Sequence, residues 1–192
     1  MQMGTNHFGH FALTGRLLPA LLAAPSPRVV SVSSILHTRG RIAFDDIPKP
    51  ARYDTNRQYA ASKLANLLFS RELHRLAKGS KLVSTGAHPG YSATNLQYVG
   101  PAMEGSAAKR LLMKVSNTLL AQPADMGALG TLYAATAPDV EGGEYIGPTG
   151  LGGLRGHPVK GPSSKASHDE SVARRLWEVS EELTGVTYDF RA

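Results

Sequence analysis

Two short segments restrict the fold more than any other feature of this chain. Residues 28–34, "RVVSVSS", and 81–87, "KLVSTGA", are short and rich in β-branched residues, and the first is apolar on both faces apart from its serines. Strands of that kind are covered on both sides, as in a parallel sheet flanked by helices. The segments around them have helical periodicity. Residues 3–23 carry Phe8, Phe11 and Ala12 on one face, continued by Leu18 and Leu22, and Pro25 and Pro27 stop the run. A second helix is expected over about 55–78, closing on Lys78–Gly79. Further helices are expected near 105–120, 123–136 and 168–184, the last with Leu176, Trp177 and Leu183. "GGEYIG", 142–147, reads as a short third strand. Residues 35–54 and the Gly-, Pro- and Ser-rich 147–166 read as loops. Alternation in this order predicts an α/β fold: a partial, Rossmann-like parallel sheet of about three strands with right-handed crossovers and flanking helices, in one domain over 1–192.

Composition narrows the functional classes. The 192 residues include no cysteine, which excludes disulfides and thiolate metal sites and is compatible with a cytoplasmic location. The net charge of +6 is spread along the chain, with no basic run longer than Arg174–Arg175, so no nucleic-acid footprint is expected. "HFALTGRLLPALLAAP" is apolar, but Arg16 and Pro19 interrupt it. No run of 18 or more apolar residues occurs, and no membrane span is expected.

The chemistry concentrates in "QYAASKLAN", 58–66. Tyr59 and Lys63 lie four residues apart on a helix, so both side chains leave the same face. A phenol must be brought down from about 10 to exchange a proton near neutral pH, and an ammonium one turn away favours the phenolate. Such pairs also recur by chance on helices. The strand-end "VSS" offers a hydroxyl where ligands bind in open α/β sheets, although a serine there more often caps a loop. The second strand leads into "AHPG", a Pro–Gly turn that exposes backbone N–H groups, and Thr94 follows Gly90 by four residues. His88 stands beside that turn. His7 and His10 are spaced i,i+3, but no third ligand is near and no metal site is expected. The run "GPTGLGGLRGHP" is not a dinucleotide fingerprint, since Arg155 occupies the place of a third glycine and Pro158 blocks a helix start.

Taken together, these stretches resemble the C-terminal portion of the short-chain dehydrogenase/reductase family, in the subgroup containing the retinol dehydrogenases. The resemblance is carried by "TNHFGHF" at 5–11, "RVVSVSS" at 28–34, "YAASKLAN" at 59–66, "AHPGYSAT" at 87–94 and "HDESVARRLWEVSEELTG" at 168–185. It implies that Tyr59 is the general acid/base. Lys63 would lower the pKa of that tyrosine and bind the nicotinamide ribose. Ser34, rather than Ser33, would bind the substrate oxygen, and Asn6 would hold an active-site helix and a proton-relay water. Pro89, Gly90 and Thr94 would border the nicotinamide. The expected cofactor is NADP or NAD. The expected partner is a small apolar alcohol or carbonyl compound, a guess from Ile35, Leu36, Tyr91, Leu96 and Tyr98 and from the resemblance. In that family the helices bearing Asn6 and Tyr59 often form subunit contacts, so a homo-oligomer is admitted.

One departure shapes the expectation. The family begins with a strand, a glycine-rich turn and a helix that holds the pyrophosphate, and no segment here matches them. The chain therefore reads as an N-terminally shortened domain with the strand carrying Ser34 at an open edge. The alternative reading is a non-catalytic remnant or interaction protein without a competent cofactor site.

Overall fold

The computed structural model describes residues 1–47, 53–92 and 121–190. A π-helical turn, Gly4–Phe8, opens directly into helix α1, Gly9–Ala23. Strand β1, Arg28–Val32, follows, then helix α2, Thr55–Leu76, and strand β2, Val83–Ala87. After residues 93–120 come helix α3, Ala124–Thr136, strands β3, Tyr145–Gly150, and β4, Arg155–Lys160, and helix α4, Glu170–Thr184.

The strands form one sheet in the order β1-β2-β3-β4. β1 and β2 run parallel with Val32 opposite Ala87, and β2 and β3 run parallel through Gly86–Tyr145 and Ala87–Ile146. β4 returns antiparallel to β3. This confirms the α/β, Rossmann-like reading and corrects it in one place. The expected three-stranded sheet has a fourth strand, built from residues assigned to the 147–166 loop, and β3 begins at Tyr145 rather than Gly142. The hairpin closes through Leu151, Gly152 and Gly153, all at positive φ, a conformation that glycine adopts without penalty. Pro148 pairs with Pro158, which is tolerated because Pro148 lies beyond the short β2–β3 ladder and β4 is an edge strand.

The described part of the 35–54 loop carries two 3-10 turns, Ile35–Arg39 and Phe44–Asp46. A β carbon at Gly40 would strike the Ala60 carbonyl and Leu64, so that glycine permits the loop to lie directly on α2. The expected helix at 105–120 lies outside the described residues.

α2 is the central helix. Asp54 caps its N-terminus through the Arg57 N–H, and residues Ala60 to Leu73 are largely buried. One part of it packs with Met3, Ala173 and Leu176. A second part enters a cluster of Phe11, Phe69, Leu73 and Trp177, against which Tyr188 and Phe190 close. α4 is capped by Asp169, which accepts from Ser171 and Val172, and ends at Gly185 in the left-handed conformation. Among the described residues, no helix is long and apolar enough to cross a membrane.

Candidate active site

The parallel pairing of β1 and β2 decides the geometry. With Val32 opposite Ala87, the segments "SS" and "HPG" leave the sheet side by side at its C-terminal edge, and the Ser33 N–H donates to the Ala87 carbonyl at 2.7 Å. α2 then crosses the same edge. Ser34 lies in extended backbone and starts the Ile35–Arg39 turn, its hydroxyl oxygen accepting from the Leu36 N–H at 3.2 Å. The Ser34 side chain acts on the Tyr59 phenol electrostatically, favouring its ionised form.

Lys63 lies one turn along α2 with its ammonium 5.5 Å from the centre of the Tyr59 ring. It donates to the Val32 carbonyl at 3.1 Å. Burial lowers the pKa of Lys63 and raises that of Tyr59, the Ser34 side chain opposing the second shift. The direction at Tyr59 is opposite to the expected one. Desolvation of the phenolate is the larger cause, and the Lys63 ammonium is turned toward the Val32 carbonyl.

Asn6 lies in the π turn, a feature often found at functional sites. Its amide donates to the Ser62 hydroxyl at 3.1 Å, and Ser62 donates to the Tyr59 carbonyl at 2.8 Å. Asn6 thus grips the turn of α2 that carries the tyrosine.

Gly90 has φ +68, and a β carbon there would strike the Leu154 carbonyl and Pro148, so the turn after β2 rests against the β3–β4 hairpin. The Pro89 carbonyl accepts from the Gln122 amide at 2.8 Å and from the Ser92 hydroxyl at 2.8 Å. Thr94, like Leu96 and Tyr98 of the expected pocket lining, lies outside the described residues. The structure therefore brings Asn6, Ser34, Tyr59 and Lys63 together around one turn of α2, with Pro89 and Gly90 on the adjacent strand end.

Several participating residues have no signal in the sequence. Asn66 donates to the Val32 carbonyl at 2.9 Å, doubling the hold of Lys63 on the end of β1. Ser33, the serine passed over for the substrate oxygen, donates to the Lys63 carbonyl at 2.8 Å. Gln122 is buried and joins three segments: its N–H donates to the Tyr91 carbonyl at 2.8 Å, its amide to Pro89, and its side-chain oxygen accepts from the Gly156 N–H at 2.9 Å. Only the spacing of Asn66 within "YAASKLAN", three residues after Lys63 on the same face, could have suggested one of them. Among the described residues, no group of three or more His, Cys, Asp or Glu side chains could hold a metal ion.

The sheet and its flanking helices match the Rossmann-like fold of the short-chain dehydrogenases/reductases. Over 97% of its length the chain is similar to retinol dehydrogenases. It is 38% identical over 189 residues to retinol dehydrogenase 14 from Mus musculus, a match covering 97% of this chain and 53% of that protein. The chain spans about half the length of the curated relatives it matches. The crystal structure of an uncharacterized protein from Mycobacterium paratuberculosis superposes with a TM-score of 0.75 at 40% identity, covering 97% of this chain and 59% of that one. RhlG of Pseudomonas aeruginosa, solved as an active-site complex with NADP, shares the fold alone, with a TM-score of 0.51 at 21% identity over 74% of this chain and 53% of its own. No protein-family model matches the chain.

Proposed function

We propose that this chain carries the proton-transfer portion of an NAD(P)-dependent oxidoreductase that interconverts an alcohol and a carbonyl. The observation that supports this reading best is the Lys63 ammonium 5.5 Å from the centre of the Tyr59 ring, one helical turn away, on the helix that lies against the serine-bearing end of β1. In reduction, Ser34 and Tyr59 hold the carbonyl oxygen, and Tyr59 delivers its proton to that oxygen as negative charge develops there. In oxidation the same phenolate removes the hydroxyl proton. Lys63 favours the phenolate when its ammonium turns from the Val32 carbonyl toward the ring. Asn6 keeps the tyrosine turn in place through Ser62.

The residues fit a nicotinamide cofactor. The Lys63 ammonium has three donors, of which one is given to Val32, and suits the ribose hydroxyls. The Pro89–Gly90 backbone, held by Gln122, would border the nicotinamide, and Thr94 belongs to the same reading. The cofactor, when bound, supplies or accepts the hydride. The substrate proposed is a small apolar alcohol or carbonyl compound, and the whole is read as part of one catalytic domain.

The test is a titration of the purified chain with NADPH and NADH by fluorescence, followed by carbonyl reduction. Saturable binding, with turnover lowered about 10³-fold in Tyr59→Phe, is the expected result. A second reading has its own observation. β1 is the edge of the sheet, paired with β2 alone among the described residues, and Val32 is 40% exposed. A chain that bound neither nucleotide, and instead associated through that edge, would be an interaction module rather than an enzyme.

A further inference from the structure

Three buried side chains with no part in the proposed chemistry lie between the two strand ends. Tyr145 begins β3, His37 belongs to the turn after Ser34, and His88 follows β2. They are 5%, 2% and 5% exposed. The His37 ring meets Tyr145 edge-on at 5.1 Å, and the His88 ring stacks on the same tyrosine at 5.1 Å and 17°. The three rings form a continuous column from one strand end to the other.

The backbone groups at either end define the protons. His37 Nδ1 lies 2.7 Å from the Ser34 carbonyl, which can only accept, so Nδ1 carries hydrogen. His37 Nε2 receives the Ser164 N–H at 3.0 Å, so it carries a lone pair. His88 has the opposite arrangement. Its Nδ1 receives the Gly90 N–H at 3.3 Å, which leaves Nε2 as the protonated nitrogen of the neutral ring. Burial favours the neutral form of both rings. Between them, the Tyr145 hydroxyl lies 3.4 Å from His37 Nδ1, and Ser33 donates to the Lys63 carbonyl at 2.8 Å. Space for the column is reserved on β3, because a β carbon at Gly147 would collide with the His88 imidazole.

We propose that His37, Tyr145 and His88 form a brace of positioning residues that holds Ser34 and Gly90 in register across three separate chain segments. His37 holds the backbone of Ser34 through its Nδ1–H. Tyr145 joins the two imidazoles, its ring packed against both and its hydroxyl 3.4 Å from His37 Nδ1. His88 holds the Gly90 N–H. The consequence for activity rests on the proposed oxidoreductase function; the brace itself does not.

The deciding measurement is long-range ¹H–¹⁵N correlation of the full chain labelled with ¹⁵N-histidine at pH 7. The expected spectrum has His37 neutral with the proton on Nδ1 and His88 neutral with the proton on Nε2. A cationic ring at either position, or the other tautomer, overturns the proposal. Turnover of NADPH with hexanal supplies the second arm. In His37→Asn the amide nitrogen stands where Nδ1 stood, whereas in His37→Gln it stands nearer Nε2. The Asn variant is expected to retain near wild-type kcat, and the Gln variant to lose about 10- to 100-fold in kcat with KM for NADPH unchanged, the size of effect that displacement of a reacting group by about an ångström produces. Equal loss in both variants, or a change confined to KM for NADPH, overturns the role of His37. A wild-type chain without turnover would count against the oxidoreductase reading, and the tautomers would still decide the brace.

Discussion

The two ends of α2 are built differently, although one helix connects them. Around Tyr59 and Lys63 the neighbours are small and polar: Ser33, Ser34, Ser62, Asn6 and Asn66, each with a hydrogen-bond partner in the protein. Around Phe69 and Leu73 they are aromatic. Phe69 stacks on Trp177 at 5.7 Å and 15°, Phe11 meets Trp177 edge-on at 5.0 Å, and Tyr188 packs on Phe11 at 4.9 Å while donating to its carbonyl at 2.6 Å. Apolar burial is the larger stabilising quantity, so the aromatic end anchors the helix. The polar end gains less per residue but fixes directions, which is what proton transfer requires.

The sharpest way to test that division is to disable each end separately. Tyr59→Phe keeps the ring and removes the hydroxyl. Carbonyl reduction should fall about 10³-fold, within the range of general acid–base catalysis, with stability changed by about 1 kcal/mol or less. Phe69→Ala should behave in the opposite way. A buried phenylalanine truncated to alanine costs about 3–5 kcal/mol, or roughly 10 °C in thermal midpoint for a chain of this size. The fraction that remains folded should keep its KM for cofactor. Activity lost at unchanged stability in Phe69→Ala would collapse the distinction.

Acid provides a subtler comparison, because each region holds a buried histidine. His7, hydrogen-bonded to Ser180 at 3.0 Å and packed against Phe11 and Phe69, is held at about 4 by burial, and His88 at the strand end is also held at about 4 by burial. Between that value and the ordinary 6.5, the unfolded chain binds a proton that the native ring does not. Stability is therefore full above pH 6.5 and is lost as pH falls toward 4, by about 3 kcal/mol for each ring. Urea midpoints measured from pH 7 to pH 4 should fall steeply, and His7→Gln should flatten the curve without altering the activity at pH 7.

The smallest effect expected is at a helix cap. Asp169→Ala removes the acceptor for Ser171 and Val172 at the start of α4 and should cost about 1 kcal/mol in chemical denaturation. Because α4 covers α2 away from the tyrosine, turnover at 25 °C should be unchanged.

Much of this arrangement is legible in the linear sequence. Helical periodicity exposed α2, and its four-residue spacing placed Tyr59 beside Lys63. The β-branched character of "RVVSV" exposed a strand ending at the serines. These are local patterns, and local patterns survive because backbone sterics and hydrophobic periodicity act over a few residues. The hairpin of β3 and β4 was not legible. "GPTGLGGLRGHP" has the composition of a loop, and it becomes a strand only because β3 presents a free edge to it. The pKa direction at Tyr59 was misread for a related reason: spacing reveals the ammonium, but burial and the Val32 carbonyl depend on the folded surroundings.

The sequence by itself determined the α/β class, the central helix and the pairing of a phenol with an amine on one of its faces. Tertiary structure decided which serine meets the phenol, where the lysine spends its hydrogen bonds, and that His37, Tyr145 and His88 form one column. Those contacts join residues up to 108 positions apart. They follow from strand register and helix packing, which fix distances that no periodicity within a single segment encodes.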